Sequence, residues 1–102
     1  MDWDNEYRDE DLQTRFAFYT YKDEPDVLYL SNVFVEESSR RHGFGKEILR
    51  TAEVAAETMG ASRIRLKVKR GTPENAWYIK HGYCYLTSED DYDWLENRIW
   101  RK

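Results

Sequence analysis

The sequence predicts an α+β domain: a mixed sheet of five to six strands with two main helices, in the order β-β-α-β-α-β-β. Several short segments alternate apolar with polar residues, which predicts strands. One longer segment repeats its apolar residues at three-and-four spacing, which predicts a helix. That helix separates the second strand from the third, and a helical crossover of this kind predicts that the two strands lie parallel in one sheet.

Five segments carry the strand pattern. The first two are separated by the turn Asp23-Glu24-Pro25-Asp26, in which proline cannot continue a strand ladder, so they are predicted to form a hairpin. In the third strand Ile64, Leu66 and Val68 share one face, and a loop at residues 88–93 precedes the last strand. The predicted strands are residues 12–21, 27–35, 63–68, 83–87 and 94–100.

The first predicted helix follows a polar, glycine-containing segment at residues 36–45. It is predicted to end near Met59, because Gly60 supplies a stop signal. One apolar stripe runs along it and should face the sheet. The stripe consists of Ile48, Leu49, Ala52, Ala55, Ala56 and Met59.

The second predicted helix is short. Thr72 is the type of residue that caps a helix N-terminus, and Pro73 suits the first helical position. The helix is predicted to run to about His81 and to end at Gly82.

Composition indicates one compact domain spanning residues 1–102. Although 35% of the residues are charged and the mean hydropathy is -0.94, 16% are aromatic and supply the buried area that a small core needs. No apolar run is long enough for a membrane span, and the acidic start does not resemble a targeting peptide. The single cysteine, Cys84, excludes an internal disulfide and favours a cytoplasmic location. With only two histidines besides, no metal site is expected.

Charge is unevenly distributed along the chain. Residues 38–81 contain ten basic and four acidic residues, a net charge of +6, whereas the flanks contain six basic and sixteen acidic residues, a net charge of -10. A basic middle is suited to a compact polyanion, and the acidic flanks argue against direct nucleic-acid binding.

The junction between the second strand and the first helix carries the strongest chemical signal. A glycine-containing turn that enters a helix presents free backbone N–H groups and the positive helix end, which together bind anions. Two known nucleotide-binding motifs do not match the sequence at this junction. A Walker loop requires Ser or Thr after Lys46 but Glu47 is present, and the dinucleotide fingerprint requires a third glycine where Ile48 stands.

Two motifs instead resemble those of the GNAT (Gcn5-related) N-acetyltransferases. Arg40-x-x-Gly43-x-Gly45, preceded by Val33-x-Val35, resembles the pyrophosphate-binding motif of that family. Downstream, Tyr78-Ile79-Lys80-His81-Gly82-Tyr83 resembles its Tyr-x-x-x-Gly-Phe helix end, with Tyr as the last residue. The resemblance covers residues 27–102. It implies an α/β/α three-layer fold, in a compact form similar to short phage and mobile-element acetyltransferases.

This resemblance implies acetyl-CoA as cosubstrate, no metal, and transfer of an acetyl group to a primary amine, with a protein lysine as one candidate acceptor. Tyr78 would protonate the leaving thiolate as general acid. No membrane partner is expected. The protein is expected to be a monomer or a dimer, and the resemblance does not distinguish the two. The implied acetyl-CoA contacts are Val33, Phe34, Val35, Arg40, Arg41, His42, Gly43, Phe44, Gly45 and Lys46.

The sequence departs from the family pattern in three places. The two helices that usually begin the fold are missing or reduced to residues 4–12, which implies an open acceptor site. Tyr29 and Ser31 occupy positions where a general-base glutamate is common, leaving Glu36, Glu37, His42 or a water as substitutes. The asparagine that often contacts CoA falls on Gly71, and Asn75 is too close to Tyr78 to replace it.

Other polar residues have ordinary interpretations. His42 and His81 are expected to be exposed polar residues, and Cys84 to pack in the core. The acidic run at residues 89–93 either steers a cationic acceptor or forms a solvated loop. A non-catalytic GNAT scaffold, which holds CoA or inhibits a host protein, is the alternative to an enzyme.

Overall fold

The computed structural model describes residues 3–10, 14–35 and 44–99, with side chains described for 16–31, 33 and 45–99. Its elements are β1 (Trp3–Glu10), β2 (Thr14–Tyr21), β3 (Glu24–Val35), α1 (Phe44–Met59), β4 (Arg63–Lys69), α2 (Pro73–Lys80), β5 (Cys84–Glu89) and β6 (Tyr92–Arg98).

The strands form one six-stranded sheet in the order β1-β2-β3-β4-β6-β5. All neighbours are antiparallel except β3 and β4, which lie parallel across the α1 crossover as the sequence predicts. The α+β class is therefore confirmed. β1 is an additional strand in the segment where reduced helices were expected, and it pairs with β2 from Trp3 opposite Tyr21 to Glu10 opposite Arg15. Its charged residues suit an edge strand.

Both helices cover the same face of the sheet. Ile48 of α1 and Tyr78 of α2 belong to one core cluster with Leu28 of β3 and Leu66 of β4. Because the described helices cover only one face of the sheet, the described residues form two layers. The expected third layer is not seen among them. The opposite face carries aromatic and charged side chains, because strand residues alternate between the two faces. Tyr29 of β3 lies on it.

Each helix ends in a Schellman motif, in which two backbone N–H groups return to carbonyls of the last turn. In α1, Gly60 (φ 82°) donates to the carbonyl of Glu57. In α2, Gly82 (φ 100°) donates to the carbonyl of Ile79. Both glycines adopt left-handed backbone that other residues enter at a cost, so the two predicted helix stops have a conformational cause. The predicted cap is also present: the Thr72 hydroxyl accepts a hydrogen bond from the Asn75 N–H.

Two local predictions at the C-terminal hairpin were wrong. The expected loop at residues 88–93 is a tight turn at Asp90 and Asp91, with Asp90 at φ 56° and strand residues on both sides. Cys84 is exposed instead of buried, because β5 is the sheet's edge strand and all six of its residues are exposed. Of the helices that the structure describes, neither is long and apolar enough to cross a membrane.

Candidate functional site

A gap opens between β3 and β4 where both strands approach their C-terminal ends. The two strands pair as far as Leu30 and Leu66, and no further pair of described residues follows. β3 nevertheless continues to Val35 against β2, and β4 continues to Lys69 against β6. Beyond the last pair, the inner edges of both strands therefore carry backbone N–H and C=O groups that have no strand partner among the described residues. Such groups require hydrogen bonds from elsewhere.

A β-bulge in β3 lies at the start of this gap. Between Ser31 and Phe34, β3 advances by three residues while β2 advances by two. An extra residue of this kind bends and twists its strand, and the pairing of β3 with β4 ends here. It also allows Val33 to pack against the helical core. The inner edge of Val33–Val35, which the family resemblance includes among the acetyl-CoA contacts, is thus open to an extended ligand that pairs as an added strand.

Helix α1 packs against β2, β3 and β4. Because it crosses from the end of β3 back to the start of the parallel β4, its first turn lies at the C-terminal ends of these strands, where the gap begins. Its N–H groups and helix dipole favour an anion at this end. Lys46 is exposed in this turn and adds a positive charge. Phe44, Gly45 and Lys46 are the part of the predicted pyrophosphate-binding set that the structure places. The other members, Arg40, Arg41, His42 and Gly43, lie outside the described residues.

Gly45 has a packing role that the sequence did not indicate. A Cβ at this position would lie 3.2 Å from both the Cη2 and the Cζ2 atoms of the Trp77 ring. The absence of a side chain at Gly45 therefore lets α2 approach the first turn of α1. This contact brings the segment containing Tyr78 next to the helix end that faces the gap.

We expect Gly45→Val to lower the free energy of unfolding by about 1–3 kcal/mol, because the added side chain overpacks against Trp77. Urea denaturation of the variant and of the parent measures this loss. Lys46→Ala is the control, since Lys46 is exposed at the next position and its truncation leaves the contact intact. In a Trp77→Leu background the same glycine substitution should cost less. Equal costs in the two backgrounds would show that the contact does not exist.

Tyr78 lies in the last turn of α2, and its carbonyl accepts the N–H of Tyr83 at 3.1 Å. The rings of these two tyrosines meet edge to face, with centroids 5.7 Å apart. The Tyr-x-x-x-Gly-Tyr motif thus has a structural basis, because a Schellman motif commonly pairs hydrophobic residues at these two positions. The structure places Tyr83 in the core at 2% exposure. The motif alone did not indicate this burial of Tyr83.

The hydroxyl groups of this pair belong to two buried residues. Burial, followed by the nearby Glu74 charge, raises the pKa of Tyr78 to about 12. The phenol therefore stays protonated at neutral pH, and no described residue forms a hydrogen bond with its hydroxyl. The Tyr83 hydroxyl is fully buried and likewise lacks a partner among the described residues. Tyr78 is the more exposed of the two residues, at 8% against 2% for Tyr83.

Tyr29, at one of the expected general-base positions, is held in a polar network. Its hydroxyl donates to a Glu24 carboxylate oxygen at 2.6 Å and accepts from Arg65 Nη1 at 3.1 Å. Burial, with the Glu24 hydrogen bond as the next cause, raises the pKa of Tyr29 to about 12. A phenol in these surroundings is a poor proton acceptor. Ser31, the other residue considered, lies at the first position of β3 beyond its last pair with β4.

A protein-family comparison identifies this arrangement. The model of the GNAT acetyltransferase family matches residues 7–83, three quarters of the chain. The chain belongs to the GNAT family. No curated protein matches it in sequence.

Solved GNAT structures share the fold at low sequence identity. The PaiA N-acetyltransferase from Thermoplasma acidophilum, in complex with coenzyme A, has a TM-score of 0.75 at 17% identity over 84% of this chain and 53% of its own. N-acetylglutamate synthase from Neisseria gonorrhoeae, complexed with coenzyme A and N-acetyl-glutamate, has a TM-score of 0.76 at 19% identity over 87% and 23%. An acetyltransferase from Bacillus cereus has a TM-score of 0.71 at 24% identity over 92% and 71%. The chain thus spans about half of the first of these relatives and less than a quarter of the second.

Other residues weighed from the sequence have structural partners in this GNAT domain. Asn75 donates to Asp93 Oδ2 at 3.1 Å, which ties α2 to β6. His81 is half-buried and not exposed as expected, because it stacks on Trp77 with centroids 4.1 Å apart. Its Nδ1 lies 2.8 Å from the Trp77 carbonyl oxygen. His42 lies outside the described residues.

Part of the basic middle is neutralised within the fold. Arg63, Arg65 and Arg70 form ion pairs with carboxylates from the acidic flanks. Lys46 and Lys67 form no ion pair with any described carboxylate. The positive charge that remains for a ligand is thus smaller than the sequence count suggests. Of the two unpaired lysines, Lys46 lies in α1 and Lys67 lies in β4 beside the gap.

Proposed function

We propose that this chain is an N-acetyltransferase that moves the acetyl group of acetyl-CoA to a primary amine. One observation carries the proposal: in a chain of the GNAT family, the pairing of β3 with β4 ends at a bulge, at the end of the strands where α1 begins. The gap provides unpaired backbone for an extended arm, and the helix end provides an anion site at its mouth. Coenzyme A combines these two features in one molecule.

The residues present fit this cosubstrate. The open inner edge of Val33–Val35 would bind the pantetheine arm, and the α1 amides from Phe44 onward would bind the pyrophosphate, helped by Lys46. Trp77 fills the space beside Gly45 and fixes α2 at this end of α1. Arg40, Arg41, His42 and Gly43 remain proposed contacts on the strength of the sequence motif.

In the proposed reaction the acceptor amine attacks the thioester carbon and the C–S bond breaks. Tyr78 donates a hydrogen bond to the sulfur as negative charge develops there, and CoA leaves as a thiolate that this hydrogen bond stabilises. Because Tyr29 is held by Glu24 and Arg65, the amine proton passes to water or to Glu36, Glu37 or His42. The latter three lie outside the described residues.

A protein lysine is the acceptor that we favour. The described part of the sheet face opposite the helices is not covered by a helix, which leaves room for a large acceptor. The β5–β6 turn adds the exposed carboxylates of Glu89, Asp90 and Asp91, which attract a cationic chain. Incubation with acetyl-CoA and a cell lysate, followed by mass spectrometry for new acetyl groups, tests this choice.

Acetyl-CoA at about 100 times its dissociation constant is expected to stabilise the fold by ~2.7 kcal/mol. The measurement is the free energy of urea unfolding with and without the ligand. AMP at the same concentration is the control, because it lacks the pantetheine arm and cannot pair with β3. No stabilisation of a folded protein by millimolar acetyl-CoA would refute the proposed function, and equal stabilisation by AMP would refute the role of the strand edge.

A GNAT scaffold that binds CoA or a partner without turnover is the second candidate. It is favoured by Tyr29, which stands where a carboxylate base is common and has its hydroxyl engaged in hydrogen bonds. A binding module predicts stabilisation by acetyl-CoA with neither acetyl transfer to lysate proteins nor hydrolysis of the thioester. Detection of either reaction, above the rate without protein, decides for the enzyme.

A further inference from the structure

The indole of Trp77 is held by contacts with both helices. Its Cζ2 and Cη2 atoms would lie 3.2 Å from a Cβ at Gly45, so the ring packs against the backbone in the first turn of α1. The imidazole of His81, at the C-terminal end of α2, stacks on the same indole with centroids 4.1 Å apart. The half-buried ring of Trp77 therefore has little freedom to move.

The ring of Tyr78 is held by two aromatic neighbours. It meets the Trp77 ring edge to face with centroids 5.3 Å apart, and the Tyr83 ring in the same manner at 5.7 Å. Aromatic pairs at these distances favour particular relative orientations of their rings. No described residue forms a hydrogen bond with the Tyr78 hydroxyl. The position of that hydroxyl thus depends on how the ring is packed.

Trp77 consequently contacts two parts of the proposed active site, which are the first turn of α1 and the ring of Tyr78. The pyrophosphate would bind at the first turn, and the sulfur would lie at the other end of an extended pantetheine arm of fixed length. A hydrogen-bond donor to the sulfur must therefore keep a fixed position relative to this helix end. An error of about 1 Å in such a position can cost about 10²-fold in rate.

We propose that Trp77 is a positioning residue for acetyl transfer, whose indole fixes Tyr78 relative to the first turn of α1; this rests on the proposed function. Trp77→Leu should lower kcat by about 10–10²-fold, because the ring of Tyr78 loses one of its two supports. The KM for acetyl-CoA should change less, since the α1 amides and the β3 edge remain. Ile79→Ala is the control on the same helix: its side chain is 44% exposed, and kcat should stay at the parent level.

A double-variant cycle with Tyr78→Phe separates positioning from a general loosening of the fold. If Trp77 acts through the Tyr78 hydroxyl, Trp77→Leu should slow the Tyr78→Phe variant by less than about twofold. A residue that only packs would lower kcat by the same factor in both backgrounds. Equal factors would overturn the proposal, and so would a parent-like kcat of Trp77→Leu.

Trp77→Phe is the second variant, in case Trp77→Leu does not fold. Phenylalanine keeps a ring that can stack on His81 but lacks the outer indole atoms that reach Gly45. Its kcat should fall below the parent level, and this fall should vanish when Tyr78 is already phenylalanine. A folded Trp77→Phe variant with the parent kcat would overturn the proposal, because the Gly45 contact would then have no effect on Tyr78.

Fluorescence provides a measurement that does not depend on turnover. Acetyl-CoA bound at the first turn of α1 should change the emission of Trp77, and the change should be absent from Trp77→Phe while the ligand still stabilises that variant. The chain has three other tryptophans. An equal change in parent and variant would assign the signal to them and would overturn the proposal, since the ligand would not bind beside Trp77.

The parent protein alone tests the proposed function. If it acetylates lysate proteins and the Trp77 variants match its kcat, the enzyme assignment holds and the Trp77 proposal fails. If it neither transfers the acetyl group nor hydrolyses acetyl-CoA, the proposed function fails, and the role of Trp77 fails with it.

Discussion

Phenylalanine in place of Tyr78 is expected to lower acetyl transfer by roughly 10²–10³-fold, the loss typical of one hydrogen-bond donor at a developing charge. Binding of acetyl-CoA should stay near the parent level, because the substitution removes one hydroxyl and keeps the ring against Tyr83. With a pKa of about 12, the phenol is a weaker acid than a thiol, whose reference pKa is about 8.5. The main contribution of Tyr78 is thus a hydrogen bond to the sulfur and not full transfer of its proton.

Tyr83→Phe is the matched control for this experiment. It removes a hydroxyl from the neighbouring ring, and that hydroxyl is buried without a partner among the described residues. An unsatisfied buried polar group costs about 1–3 kcal/mol, so its loss should leave the protein as stable as the parent or more stable. Acetyl transfer should be unchanged. The two variants therefore separate a catalytic hydroxyl from a general effect of altering the aromatic pair.

The acetyl-transfer rates of the parent and of both variants are measured at saturating acetyl-CoA, with an acceptor identified in the lysate experiment. If no acceptor is found, the rate of thioester hydrolysis is measured instead. Equal rates for the parent and Tyr78→Phe would reduce Tyr78 to the packing role that its Schellman position already explains. A similar loss in both variants would assign the effect to the ring pair and not to the Tyr78 hydroxyl.

Local periodicity predicted much of this fold. The apolar stripe of α1 is buried or half-buried along its length, and Ile64, Leu66 and Val68 share a face of β4 as expected. Thr72 caps α2, and both helices end at the predicted glycines. These features depend on neighbouring residues, which is why a single sequence reveals them. β1 was missed because an acidic edge strand lacks the alternation of a half-buried strand.

The gap depends on distant pairing and could not be predicted. The bulge in β3 is defined by the register against β2, and the last β3–β4 pair joins segments on either side of α1. Similarly, the sequence motif identified Gly45 only as part of a pyrophosphate-binding loop, whereas its contact with Trp77 becomes visible once α2 is placed. Cys84 was expected in the core because the sequence does not reveal that β5 is the edge strand.

Arg65→Met is expected to lower the free energy of unfolding by about 3 kcal/mol, at the low end of the range for breaking a buried ion pair. Arg65 joins three strands: it binds Glu24 and the Tyr29 hydroxyl on β3, and Glu96 on β6 at 2.7 Å. Both Arg65 and Glu96 have side chains that are 15% exposed. Truncation of the arginine would leave Glu96 largely desolvated, with only a longer contact of 3.7 Å to Arg63.

Arg63→Met is the matched control, because Arg63 lies two residues earlier on the same face of β4. Its closer partner, Asp26, is 52% exposed, so the loss should stay below about 1 kcal/mol.

The double variant Arg65→Met/Glu96→Met should recover most of the stability lost in Arg65→Met, since replacing both members of a buried pair by apolar side chains is often nearly neutral. Urea denaturation of the parent and the three variants measures these differences. If Arg65→Met costs no more than Arg63→Met, the network contributes no more than a surface ion pair. The aromatic contacts of Tyr29 with Tyr19, Tyr21 and Trp94 would then be what stabilises this face of the sheet.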